Sequence, residues 1–174
     1  MDEKLSAIFS NINDWLKYAE TKSATLIAGN GALIFGFSRL SLSENINCYA
    51  SYYLIFCSLL SLISLSICLL SVMPALNMPW ESKPKGKYDN DNILFFGHIA
   101  KYSTSSYLTK LADKIGEKTP DFTGYQKDLA FQIITNATIA NRKYNYFNAA
   151  IWFTLASVIS PAITILIYLL REKK

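Results

Sequence analysis

The chain has 174 residues, 51% of them apolar and 17% charged, with a formal net charge of +4. Both fractions depart from a soluble average in the direction of a membrane protein. The basic residues are scattered among the acids rather than gathered in one stripe, which argues against a nucleic-acid binder.

The first segment, residues 1–22, is expected to be a cytoplasmic amphipathic helix. Leu5, Ile8, Phe9, Ile12, Leu16 and Ala19 follow the helical period, with charges opposite. Asp2, Glu3, Lys4, Asp14, Lys17, Glu20 and Lys22 precede any long apolar stretch, unlike a cleavable signal. The helix is expected to pack against a soluble part and to run straight into a first span.

Residues 23–75 read as a two-helix transmembrane hairpin. Its first run, Ser23 to Leu42, is the weakest, with Gly29, Asn30, Gly31, Gly36 and Arg39 inside it. Ala24, Ala28, Ala32 and Gly36 fall four apart and form a small-residue face of the kind that lets helices approach closely in lipid. Asn30 is expected to hydrogen-bond across helices, because an unpaired amide in lipid is costly. The run Tyr52 to Val72 carries no charge and reaches roughly 30 Å as a helix, the thickness of a bilayer core. Cys57, Ser61, Ser64, Cys68 and Ser71 share one of its faces. Pro74, Pro79 and Trp80 then suggest a helix stop and an interfacial anchor.

Residues 76–148 are expected to form a cytoplasmic helical sensing segment. Residues 82–92 are polar, with Pro, Gly and Asn, and read as a loop. A short apolar stretch comes next, then a helix with Ser103 or Thr104 as its N-cap. The stretch 119–123 breaks the pattern. Tyr125 to Asn148 reads as one helix with Leu129, Ile133, Asn136 and Ala140 on one side, continuous with the last apolar run of the chain.

Residues 149–174 are expected to be a third transmembrane helix and a short tail. Ala149 to Leu170 is uncharged, with Pro161 in its middle and Trp152 and Tyr168 near its ends. Ala150, Thr154, Ser157, Pro161 and Thr164 share a face. The fold class is therefore all-α: a membrane helical bundle of about three transmembrane helices, with a small cytoplasmic helical part between the second and third, assembling as a homo-oligomer.

Basic residues set the orientation. Residues 39–48 hold only Arg39, so this loop is expected outside, with the N-terminus and the middle segment in the cytoplasm. Three crossings would then leave Arg171, Lys173 and Lys174 outside, against the same rule; a third run that re-enters would resolve this.

No catalytic constellation appears: there is no G-x-S-x-G, no phosphate-binding glycine loop and no H-E-x-x-H, so the chain reads as not an enzyme. Cys48, Cys57 and Cys68 have no C-x-x-C spacing, and with His98 the only histidine no metal site is expected. Asn136-Ala137-Thr138 matches a glycosylation sequon on a segment expected inside the cell.

Three segments in this order, YAETKSATLIAGNGAL (18–33), FFGHIAKYSTSSYL (95–108) and IANRKYNYFNAAIWF (139–153), make the chain resemble the transmembrane effectors of the Pycsar antiphage system, PycTM-type, over nearly its whole length. Glu20 stands where that family often has Asp, and His98 where it has an acid. The resemblance implies a bacterial inner-membrane protein, with no cofactor. A separate cyclase would make a cyclic pyrimidine nucleotide (cCMP or cUMP), which would activate the effector to impair the membrane and cause abortive infection.

Such a ligand carries one negative charge and a flat base, and needs donors and an aromatic face. Candidates in this chain are Lys101, Tyr102, Ser103, Thr104 and Tyr107, with Arg142 and Lys143. The alternatives are a small membrane anchor recruiting a cytoplasmic partner, and a channel or transporter subunit, which the lack of charges in the spans disfavours.

Overall fold

In the computed structural model, residues 1–44, 46–73, 86, 90–117 and 121–172 are described, the side chains of 165–169, 171 and 172 excepted. Most of the polar stretch 82–92 lies outside these residues, as do Pro74, Pro79, Trp80, Lys173, Lys174 and the side chains of Tyr168 and Arg171.

All regular structure among the described residues is helical: α1 (Asp2–Ser41), α2 (Cys48–Val72), α3 (Phe96–Ile99), α4 (Thr104–Ile115) and α5 (Gly124–Glu172). The amphipathic N-terminal stretch and the weak apolar run are one helix, α1, with Asp2 and Glu3 in its first turn and Arg39 in its last, matching the helix dipole. Asn47 caps α2, its side chain accepting from Ala50 N at 2.8 Å. Ser103 caps α4, and Ser106 Oγ reaches back to accept from Ser103 N at 3.0 Å. Gly116, at φ 77°, closes α4 in the left-handed conformation that glycine adopts without strain. Thr123 and Gln126 begin α5 with reciprocal side-chain bonds of 3.1 and 3.2 Å. With no Pro or Gly between Tyr125 and Asn148, α5 continues without interruption and carries Pro161 inside it.

The chain divides into two compact units. One gathers Met1–Glu20 with residues 74–144; the other gathers Thr21–Met73 with residues 145–174.

The first unit has an ordinary apolar interior. Leu5, Ile8 and Ile12 of α1 pack with Phe96, Ile99, Tyr107, Leu108 and Leu111, and with Ala130, Ile133, Ala137 and Ala140 of α5. Phe96 stacks on Tyr144 with ring centroids 4.9 Å apart, and Trp15 meets the edge of Tyr144. Asn136, the sequon residue, donates to Asn13 Oδ1 at 2.7 Å and ties α5 to α1.

The second unit is the reverse. Its buried positions include Ser23, Asn30, Cys57, Ser61, Ser64, Cys68, Ser71, Ala150 and Ser157, while Phe35, Tyr52, Phe56, Leu59, Leu62, Leu69, Trp152 and Ile159 lie on the outside. In water this arrangement would forgo about 1.5–3 kcal/mol for each large apolar side chain left exposed. In lipid those side chains face a matching solvent. The α2 face of Cys57, Ser61, Ser64, Cys68 and Ser71 is the buried one, as its spacing requires. Pairings between α1, α2 and α5 show that α1 and α5 run parallel here and α2 runs against both.

Two features of α1 bear on the expected bundle. The helices long and apolar enough to cross a membrane number two, α2 and α5 up to Thr164; α1 does not reach that measure among the described residues. The small-residue face of α1 is not its packing face within the chain: Ala24, Ala28 and Ala32 are exposed, and nothing lies within 4 Å of a Cβ built on Gly36. The rotation of α1 instead buries Ser23 and Asn30. Between helices in lipid there is no hydrophobic drive, so hydrogen-bonding groups decide which face turns inward.

Candidate functional site

The stretch following α3 places its polar side chains around one buried carboxylate. Asp91 is 3% exposed. Its Oδ1 accepts from Lys101 Nζ at 3.3 Å, its Oδ2 from the Tyr102 hydroxyl at 3.2 Å, and its main-chain carbonyl from Lys114 Nζ at 3.2 Å. His98 Nδ1 lies 3.8 Å from Asp91 Oδ1, but it accepts from Asn92 N at 2.9 Å. A nitrogen that accepts carries no proton there, so His98 fixes the turn at Asn92 rather than pairing with Asp91. Gly97 is constrained: a Cβ there would stand 2.8 Å from the Phe95 ring and 3.4 Å from Asn141 Oδ1.

The expected ligand residues fall into different situations. Lys101 is close to the surface and engaged by Asp91, as is the hydroxyl of the buried Tyr102. Ser103 is exposed and Thr104 half-buried at the start of α4. Tyr107 is wholly buried in the core, and its hydroxyl donates to Ile93 O at 3.0 Å. Burial pushes its phenol well above the ordinary tyrosine range. Arg142 and Lys143 are 6% and 7% exposed on α5, and Lys143 pairs with Glu20 of α1 at 3.1 Å. Asp91 thus engages Lys101 and Tyr102, and Glu20 engages Lys143. Sequence reasoning marks neither acid as an anchor. Asp91 sits in a run of Asp and Asn with nothing to distinguish it, and Glu20 stands out only as the departure from Asp.

The second unit holds the other polar cluster. Asn30 Nδ2 lies 2.9 Å from Leu26 O and from Thr154 Oγ1, and 3.1 Å from Ser64 Oγ. Its Oδ1 accepts from Thr154 Oγ1 at 3.1 Å, and Ser64 Oγ donates to Ala150 O at 2.8 Å. Ser61 donates to Ser157 at 3.0 Å, and Ser157 to Thr154 O at 2.8 Å. One residue from each helix therefore meets at Asn30, and an amide that would be costly alone in lipid is satisfied.

The Pycsar effector protein domain matches residues 4–170 of the chain. A Pycsar effector protein of Propioniciclava tarda, PtPycTM, is 25% identical over 148 residues, covering 83% of this chain and 69% of the other. No solved structure matches.

Proposed function

The chain belongs to the Pycsar effector family, and on that basis we propose that it is a membrane effector of a bacterial antiphage system, activated by a cyclic pyrimidine nucleotide made by a separate cyclase. Activation impairs the inner membrane and causes abortive infection. The observation that carries the membrane part of this reading is the inverted unit, with hydroxyls and an amide inside and aromatic and aliphatic side chains outside.

All three helical stretches of that unit cross the bilayer in this reading. The exposed apolar side chains of α1 past Thr21, such as Phe35, support this although α1 is less apolar than α2. The antiparallel α2 and parallel α5 support a topology in which the chain before Thr21, after Met73 and before Asn145 shares one side. The basic residues of 76–148 support the cytoplasm as that side. The exposed face of Ala24, Ala28 and Ala32 is available for packing between copies in a homo-oligomer.

The ligand's phosphate engages Lys101, Tyr102 and the start of α4 at Ser103 and Thr104, with Arg142 and Lys143 as the second group. Its single charge competes with Asp91 for Lys101, so binding loosens a contact of the resting state. A ligand that binds the loosened arrangement more tightly shifts the population toward it. The test is to add cyclic UMP or cyclic CMP to the protein in dye-loaded liposomes. Saturable binding of one of them with dye release is expected; binding of neither, with no release, removes the reading.

A further inference from the structure

We propose that the hydroxyl-lined interior of the inverted unit is a closed water path: when its helices part, water takes over the hydrogen bonds that Asn30, Ser61, Ser64, Thr154 and Ser157 now make to one another. The inference rests on the membrane-impairing reading above and assigns that impairment to one set of side chains.

Close packing in lipid requires small residues, and alanine or glycine would satisfy it. Here the buried positions of α2 are all Ser or Cys, and facing them stand Asn30, Thr154 and Ser157. Such groups are stable in lipid only while paired. Separated, they find replacement partners in water and not in acyl chains, so parting the helices draws water inward.

The lane is also not saturated. Ser23 Oγ and Ser71 Oγ are buried and have no partner among the described residues. Ser23 stands one heptad before Asn30, and Ser71 one heptad after Ser64, so both continue the same polar line. Toward the other end, Ser51 donates to Ser41 O at 2.8 Å. From Ser51 to Ser71 the helix rises roughly 30 Å, the thickness of the hydrocarbon core. Among the described residues, none of the buried polar ones of this unit is charged, so an open lane would pass water and small ions of either sign.

Two native thiols report on the lane. Cys57 and Cys68 lie buried in it, whereas Cys48 is exposed. Full-length protein carrying Cys48→Ser, in dye-loaded liposomes, is treated with a charged, water-soluble thiol reagent before and after cyclic UMP or cyclic CMP. Labelling of Cys57 and Cys68 is expected to accelerate at least roughly tenfold together with dye release, since only a thiolate reached by water reacts. Dye release with both thiols still protected overturns the lane and leaves the nucleotide reading standing.

If neither nucleotide releases dye, that reading fails and the lane is judged without ligand. Ser61→Asp puts a carboxylate inside it, and Ile63→Asp puts one on the outer face, where Ile63 is 44% exposed. Potassium leak from Ser61→Asp at least roughly tenfold above that from Ile63→Asp supports the lane, because a buried charge recruits water. Equal leak overturns it, and so does equal leak from Ser61→Asn, which enlarges the side chain without charge.

Discussion

At the scale of single residues, Asp91 sets the terms for any anion that approaches Lys101. It already occupies Lys101 Nζ and the Tyr102 hydroxyl, and a phosphate would ask for the same two donors. Asp91→Asn keeps the shape and removes the competing charge, so cyclic-nucleotide affinity measured by calorimetry should rise about tenfold, the equivalent of about 1.4 kcal/mol. Lys101→Met should lower it. Weaker binding by Asp91→Asn would instead make Asp91 a support for the site and sink the competition argument. Asn30 was legible from sequence, because an amide inside an apolar run must find a partner, and it finds Ser64 and Thr154. Tyr107 was not: an aromatic residue near a helix start reads the same whether it stacks on a ligand or fills a core. Only burial separates the two.

At the scale of elements, α1 and α5 each contribute to both compact units, and their continuity was legible where no Pro or Gly interrupts the helical period. The rotation of α1 was not. One face offers Ala24, Ala28 and Ala32, the other Ser23 and Asn30, and the choice depends on what α2 and α5 present. An unbroken α5 can carry a change near Arg142 and Lys143 into the inverted unit. Asn145 is exposed, so replacing it leaves the buried contacts intact. Asn145→Pro removes a backbone bond and kinks the helix, at a cost of about 3 kcal/mol. Nucleotide binding should stay within about twofold of the parent, a shift under 0.5 kcal/mol, while dye release is lost. Undiminished release would show that α5 is not the connection.

At the scale of the molecule, hydropathy made the membrane class legible but left the crossing of α1 open, since its glycines, Asn30 and Arg39 depress the average that marks a span. Packing carries the information hydropathy lacks. The inverted unit takes α1 and α5 as parallel neighbours, and the apolar-cored unit takes both Met1–Glu20 and residues 74–144. A compact unit cannot be divided by a bilayer, so the proposed topology puts the N-terminus and the middle of the chain on one side. The loop between α1 and α2 then lies on the other, and the exposed Cys48 just beyond it marks that side without any substitution. In intact spheroplasts an impermeant thiol reagent should label Cys48 at once. Lys87→Cys, in a Cys48→Ser background, should be labelled only after lysis. Lys174→Cys in that background should be labelled without lysis, because the three crossings proposed above would carry the tail outside despite its basic residues. Protection of Lys174→Cys until lysis would mean that the last apolar stretch turns back within the bilayer, and the positive charges of the tail would then lie on the side where such charges accumulate.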